Sequence, residues 1–293
     1  MMYLRNLMCL LCLCLHLSAS AATAATSSTL RVMSFNVRTP ADTEPGRRWE
    51  DRRDAMVSVI RQAQPAVIGT QELTPVQASY LRAQLPAYRM FGQGRRGGAE
   101  DEHMGVFYDA RVLALVESGD FWLSPTPEVP GSMGWGDPYP RMVTWGLFER
   151  RADGRRFYLF NTHLPYREQD EPARVRSAQL LLSRIDALPK EVPVVVTGDF
   201  NSEPGSDTWR TLTAVLRAAR DTAPQVDGPR LTFQDFGGSD RRQLDWILLR
   251  GFEATHFSTL DDRPGGLYPS DHYPVLAELR FPAPVTPRPR AGR

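Results

Sequence analysis

Apolar residues along this chain fall into short runs that repeatedly end on a polar residue. The run LRVMSFNV from Leu30 and the run AVIGTQE from Ala66 have the length and apolar content of buried strands. Between them Met56, Val59, Ile60 and Ala63 recur at helical spacing, which predicts a strand, helix, strand unit. Thr74-Pro75 supplies an N-cap and a first-turn proline for a second helix running to about Leu85. From Met104 to His163 the pattern changes to strands, with VTWGLFER and RFYLFNTH joined across Ala152-Asp153-Gly154-Arg155 as a hairpin. Ala178, Leu181, Leu182, Ile185 and Leu188 on one face predict a third helix, and VPVVVTGDFN follows as a central strand. LDWILL and PVLAELR return the C-terminal region to strands. Many strands with few helices predict an α/β fold, two packed sheets flanked by helices in a sandwich. The glycine-rich run Gly92 to Gly98 opens no helix and reads as a mobile loop.

Composition alters this picture mainly at the ends. The 293 residues are 42% hydrophobic and 24% charged, ordinary values for a globular protein with a sizeable core. All three cysteines, Cys9, Cys12 and Cys14, lie in a leucine-rich run preceded by Arg5 and followed by Ala19-Ser20-Ala21 and Ala22-Thr23-Ala24. That order of charge, apolar run and small residues is that of a cleavable secretory signal over residues 1–24. Within residues 1–24 there is no twin-arginine pair and no small residue directly before a cysteine, which points to general export without a lipid anchor. The mature chain is then expected to be periplasmic or extracellular and free of cysteine, excluding disulfides, zinc–cysteine sites and cysteine nucleophiles. Loss of Arg5 leaves 34 basic residues against 34 acidic ones, so no globally basic nucleic-acid coat is expected. No composition break divides residues 29–281, which read as one domain, and residues 282–293 read as a disordered Pro/Arg tail.

The candidate chemistry lies where the apolar runs stop. Asn36, Glu72, Asn161, His163, Asp199, Asn201, Asp245, Asp271 and His272 all stand at or just beyond predicted strand ends. Strand ends bring residues that are distant in sequence to one rim of a sheet. Singly, such residues are ordinary turn and cap formers. Together they form a set of carboxylates, amides and imidazoles with no Gly-x-Ser-x-Gly elbow, phosphate-binding glycine loop or HExxH motif. An oxygen-rich set of this kind suits a hard cation such as Mg²⁺ or Mn²⁺.

Six motifs read in order make the pattern specific: Ser34-Phe35-Asn36-Val37, Thr70-Gln71-Glu72, Asn161-Thr162-His163, Thr197-Gly198-Asp199-Phe200-Asn201, Leu244-Asp245-Trp246-Ile247 and Ser270-Asp271-His272. The set resembles the endonuclease/exonuclease/phosphatase superfamily, the DNase I-like fold, over nearly the whole mature chain. The resemblance implies a four-layer α/β sandwich of two mainly antiparallel sheets flanked by helices. It further implies a metal held by Glu72 with Asn36 and Asp271. Asp199 would act as base toward the attacking water, and Asn201 would hold the water or phosphate. His272, oriented by Asp245, would contact the scissile phosphate, and His163 would donate to a non-bridging oxygen. The implied reaction is in-line attack of water on a phosphodiester or phosphomonoester, without a covalent enzyme intermediate.

Branch differences narrow the substrate only in part. Arg38 stands where the abasic-site endonuclease branch carries an acidic residue, and Gln243-Leu244-Asp245-Trp246 lacks the tryptophan-cysteine-aspartate-arginine run of inositol-polyphosphate phosphatases. The run Tyr268 to Pro274 is similar to secreted bacterial members and to the nocturnin and carbon-catabolite-repressor deadenylase branch, which also draws attention to Arg141. Arg141 is expected to bind a substrate phosphate, while Trp135 or Tyr139 in the preceding loop either stacks on a base or sugar or packs on its own backbone. Trp122 and Trp145 are expected in the core, and His103 and His256 without a catalytic role. The first functional reading is an exported metal-dependent nuclease, 3'-5' exonuclease-like on RNA or oligonucleotides. The second is a phosphatase or phosphodiesterase on a small phosphoester, phospholipid or sugar phosphate. The third is a non-catalytic binding protein on the same fold, which the presence of base, metal and histidine-pair residues argues against. A monomer without a membrane anchor is expected in each case.

Overall fold

The computed structural model of the protein describes residues 29–283, so the expected signal at 1–24 and residues 284–293 of the expected tail lie outside the described residues. The strand, helix, strand unit forms as β1 (Thr29–Asn36), α1 (Trp49–Ala63) and β2 (Val67–Gln71), with β1 and β2 parallel neighbours. Helix α2 (Pro75–Gln84) begins at the expected proline, and Gln77 Oε1 accepts from the Thr74 backbone N–H at 3.0 Å to close a capping box. Strands β3 (Tyr88–Phe91), β4 (Val106–Asp109), β5 (Leu113–Trp122), β6 (Met142–Arg150) and β7 (Arg156–His163) follow. The β6–β7 turn places Gly154 at φ +70°, where a side chain would be strained. Then come α3 (Glu171–Asp186), β8 (Val194–Asp199), α4 (Asp207–Thr213), β9 (Arg217–Ala218), α5 (Ala219–Thr222), β10 (Val226–Asp227), β11 (Asp245–Arg250), β12 (Glu253–Thr259) and β13 (Val275–Arg280).

These strands form two mixed sheets, a seven-stranded one ordered β10-β12-β13-β1-β2-β4-β3 and a six-stranded one ordered β5-β6-β7-β8-β11-β9. Most neighbouring pairs are antiparallel, and β1–β2, β7–β8 and β10–β12 are parallel. Side-chain alternation divides each strand between two apolar layers. Leu30 and Val32 of β1 meet Leu159, Val195 and Ile247 between the sheets. Met33 and Phe35 turn outward onto Met56 and Ile60 of α1 and Leu81 of α2. On the far side Val194, Val196 and Leu248 pack under Leu181 and Ile185 of α3 and Leu212 of α4. The result is the four-layer sandwich, helix on sheet on sheet on helix, with each fully buried aliphatic side chain contributing roughly 1.5–3 kcal/mol.

The inner seam is not apolar throughout. Stepping two residues along each inward face leads from Val32 to Ser34 and Asn36, from Val67 to Gly69 and Gln71, from Leu159 to Asn161 and His163, and from Val195 to Thr197 and Asp199. One end of the seam is therefore built from polar residues, all of them buried. Asn161 fastens the sheets there. Its Oδ1 accepts from Gln71 Nε2 at 2.7 Å and Thr197 Oγ1 at 3.1 Å, and its Nδ2 donates to the Thr70 carbonyl at 2.7 Å. The sheets approach so closely here that a Cβ on Gly69 would lie 2.1 Å from Thr197 Oγ1 and 2.5 Å from Asn161 Oδ1, which explains the glycine.

Candidate active site

Above the Asn161 layer the strand ends deliver the expected side chains to one place. Asn36 donates through Nδ2 to Glu72 Oε1 and to Asp199 Oδ2, at 3.0 Å each, linking carboxylates from both sheets. Its Oδ1 accepts from the Arg38 backbone N–H at 2.9 Å, so the amide group is fixed at both ends. Glu72 and Asn201 sit just past their strands at φ 60° and 46°, left-handed conformations that non-glycine residues seldom adopt. Such strain persists where the surroundings hold it, as at active sites. Here the Thr39 N–H donates to Glu72 Oε2 at 3.0 Å and the Asn201 N–H to Asp199 Oδ1 at 2.9 Å. Asn201 Nδ2 is spent on the Leu164 carbonyl at 3.0 Å, so its link to the expected base runs through the backbone.

The two histidines face the same carboxylate. His163 Nε2 lies 3.5 Å and His272 Nε2 3.7 Å from Asp199 Oδ2, while His272 Nδ1 shares a 2.8 Å hydrogen bond with Asp245 Oδ2. Their protonation differs. Burial disfavours the His272 imidazolium, but the carboxylates of Asp245 and Asp199 outweigh it and raise the group to about 10. Burial, reinforced by Arg141 and by His272, holds His163 well below its ordinary value and so neutral. Burial also pushes the Asp199 carboxyl up to about 7 against the pull of His272. A cationic His272 and a neutral His163 thus flank a carboxylate poised near neutrality. His163 Nδ1 and Asp245 Oδ1 are buried without a hydrogen-bond partner.

The donor chemistry fits a divalent ion. Ser270 Oγ donates to Asp271 Oδ1 at 3.2 Å, and Arg38 Nη1 is the cation nearest Asp271, 3.5 Å from Oδ2. Burial raises the Asp271 carboxyl, against the pull of His272 and Arg38, and the negative charge of Glu72 raises it further, a repulsion that a bound divalent cation relieves. A second buried group, Asp199, Asp245 and His272, has ligand atoms within 4.8 Å of one another and by spacing alone could hold an ion. In that group, however, His272 is cationic and hydrogen-bonded to Asp245, so its nitrogens serve as donors.

These residues floor a cleft of about 420 Å³ whose walls come from separate loops. Arg38 and Arg47 follow β1, Arg95 and Glu102 follow β3, Tyr139 and Arg141 precede β6, and Phe233, Asp235 and Phe236 precede β11. Arg141 stands where the sequence placed it. Its Nε is held by Asp137 Oδ2 at 3.2 Å, with only 5% and 4% of the two side chains exposed. Trp135 turns away and packs against the outer layer beneath α3, so it is a structural residue and only Tyr139 reaches the cleft. Trp122 is buried, and Trp145 is half-buried in the same outer layer. The loop at Gly92 to Gly98 is more firmly held than its glycines suggested. Trp122 Nε1 donates to the Arg95 carbonyl at 2.6 Å, and the Arg95 guanidinium grips Glu102 at 2.9 Å while lying 4.7 Å above the Tyr139 ring. Neither Arg95, Glu102 nor the Phe233 to Phe236 segment lies at a strand end, the signal by which the other residues were found.

The family model described as Endonuclease/Exonuclease/phosphatase family matches residues 33–272, spanning all six motifs. The chain belongs to this family. Its members are phosphoester hydrolases and generally use divalent metals. The structure of an endonuclease/exonuclease/phosphatase from Bacteroides vulgatus superposes with a TM-score of 0.82 at 33% identity, over 86% of this chain and 99% of that one. The mannosyl-6-phosphatase of Bacteroides thetaiotaomicron superposes with a TM-score of 0.81 at 30% identity, over 86% of this chain and 100% of that one. The human nocturnin catalytic domain, solved with a bound sulfate, shares the fold at 21% identity and a TM-score of 0.69, over 87% and 95% of the two chains. An uncharacterized protein of Acanthamoeba polyphaga mimivirus is 27% identical over 165 residues, 53% of this chain, and the chain spans 60% of that relative's length. No helix among the described residues is long and apolar enough to cross a membrane.

Proposed function

We propose that this member of the family is a metal-dependent hydrolase of small phosphoesters, with a phosphomonoester as its principal substrate. The observation that carries the choice is the cleft. A half-open cleft of about 420 Å³ walled by loops lies in the roughly 300–1,000 Å³ range typical of small-molecule sites. A strand of RNA calls for a long groove with several free aromatic platforms. Here the Arg95 guanidinium lies over Tyr139, Arg47 over Phe236 and Arg242 over Phe233, which also packs against His272, so that among the described residues lining the cleft Tyr166 is the one uncovered ring. The resemblance to a mannosyl-6-phosphatase at 30% identity supports the same order. The exonuclease reading that the sequence placed first therefore becomes the second.

Glu72, Asp271 and Asn36 would hold Mg²⁺ or Mn²⁺, which when bound polarises a phosphoryl oxygen and stabilises the leaving oxyanion. The chain's own groups do the rest. Arg141, clamped at Nε, turns its terminal nitrogens to the substrate phosphate. Asp199, fixed by Asn36 and the Asn201 N–H, takes the proton of the attacking water. His272, held by Asp245, donates from Nε2 to the phosphate as a cation, and neutral His163 donates to a non-bridging oxygen. Export to the periplasm or beyond belongs to this proposal through the N-terminal pattern of the sequence.

The test is a panel of hexose phosphates, nucleotides, 4-nitrophenyl phosphate, its bis-ester and an RNA oligomer, assayed with the purified protein and Mg²⁺ or Mn²⁺. Phosphate release from monoesters is expected to exceed strand cleavage. The reverse order, with cleavage strongly suppressed by salt, overturns the proposal in favour of the nuclease.

A further inference from the structure

The segment Gln234 to Gly237 crosses the cleft wall in an unusual conformation. Asp235, Phe236 and Gly237 have φ values of 51°, 50° and 85°, three consecutive residues in the left-handed region. L-residues visit that region singly and at a cost, which is smaller for aspartate. Buried Gln234 holds the turn in place. Its side chain donates from Nε2 to the Ser270 carbonyl at 2.7 Å and accepts from the Gly237 N–H at 2.9 Å. The backbone N–H groups of Gln234 and Asp235 both donate to the Asp271 carbonyl, at 2.9 and 3.2 Å. The strained turn is thus hung on the same Ser270–Asp271 segment that supplies the active site, and strain so supported is characteristic of ligand clamps.

What the turn presents is a carboxylate without a partner. Among the described residues the Asp235 side chain makes no hydrogen bond and no ion pair, and it lines the cleft beside Phe236 and Arg47. Arg47 lies 5.3 Å over the Phe236 ring and likewise enters no ion pair among the described residues. Across the cleft Tyr139 and Tyr166 are exposed, and neither hydroxyl has a partner. A lone carboxylate repels a second phosphate group and accepts hydrogen bonds from hydroxyls, while a neighbouring guanidinium donates to hydroxyl oxygens. That combination complements a vicinal diol.

We infer that Asp235 is a specificity-determining residue that reads the hydroxyls of the leaving group, and that the substrate class is a phosphorylated polyol such as a hexose monophosphate. This rests on the proposed hydrolysis of small phosphoesters and adds the chemistry of the alcohol. The test compares Asp235→Asn and Asp235→Gly with the parent enzyme on mannose 6-phosphate and on 4-nitrophenyl phosphate, which carries no diol. Both replacements tolerate positive φ, so the turn keeps its shape. The expected result is a loss of about 10- to 100-fold in kcat/KM on mannose 6-phosphate, mostly in KM, with 4-nitrophenyl phosphate changed by less than about two-fold. Inhibition by inorganic phosphate should be unchanged. Equal losses on both substrates would make the turn a mere support for Asp271 and overturn the inference, as would no loss on either. A parent enzyme active on 4-nitrophenyl phosphate but on no hexose phosphate overturns the inference alone. One inert toward every monoester and active on RNA overturns the proposed function as well.

Discussion

Replacing Asn161 with alanine separates the scaffold of the site from its chemistry. Asn161 is fully buried, and the change deletes two hydrogen bonds of 2.7 Å, to Gln71 Nε2 and the Thr70 carbonyl, with weaker ones to Thr197 Oγ1 at 3.1 Å and the Gly105 carbonyl at 3.4 Å. Substitutes are poor. Gln71 Nε2 keeps only Ser34 Oγ and the Gly69 carbonyl at 3.3 Å, and Thr197 Oγ1 keeps the Phe160 carbonyl at 3.4 Å. At about 1–3 kcal/mol for each buried polar group left unsatisfied, Asn161→Ala should cost about 2–5 kcal/mol. In a domain of this size that is about 5–15 °C in Tm. The assay is urea unfolding, where the midpoint should fall with an unchanged slope. Because His163 and Asp199 stand two residues beyond Asn161 and Thr197, kcat/KM should fall with it. A loss of stability below about 1 kcal/mol would refute the view that this amide fastens the sheets. Gly69→Ala should be more damaging still, since its Cβ has no space.

Other changes act on the reacting groups. Asp245→Asn removes a carboxylate that raises His272, so the alkaline limb of the rate profile, set near 10 in the parent, should move to lower pH, with kcat reduced by about 10²–10⁴-fold. The sign for stability follows from the same shift. Because the folded value is raised from about 6.5 to about 10, the advantage of the parent over Asp245→Asn in urea unfolding should be full below 6.5 and vanish as pH rises toward 10. Removing divalent metal with EDTA should abolish activity, with recovery on adding Mg²⁺ or Mn²⁺. Glu72→Gln should raise the metal concentration needed for recovery by about 10- to 100-fold, and full activity after chelation would reject the metal-assisted mechanism. Arg141→Ala should weaken competitive inhibition by inorganic phosphate by about 10- to 100-fold, a value left unchanged if Arg141 only closes the loop through Asp137.

Legibility tracked periodicity. The six motifs were readable because each stands at one end of an apolar run, four closing a run and those at Asp245 and at Asp271-His272 preceding one, and antiparallel pairing brings such ends to one rim. The helix started by Thr74-Pro75 and the hairpin at Asp153-Gly154 were readable for a similar reason, since the turn chemistry is local. Asp235 and Glu102 carry no such signal. They lie in irregular loops, and their position depends on contacts that no apolar period records, the backbone bond from Asp235 to the distant Asp271 and the grip of Arg95 on Glu102 within one loop. Trp135 shows the converse: a tryptophan in a glycine-rich loop beside Arg141 could stack on substrate or pack inward, and only the outer apolar layer decides that it packs.

The sequence by itself determined the sandwich and the identity of the polar residues at its rim, because alternation and strand length are properties of neighbouring residues. Tertiary structure alone decided how those residues are charged and what they can bind. His163 and His272 follow similar motifs, yet one is neutral and the other cationic, since only His272 is hydrogen-bonded to a buried carboxylate. The cleft likewise exists only once loops from distant parts of the chain converge on the seam. Charge state and cavity shape are set by the field and the walls of the folded whole, which no local run of residues contains.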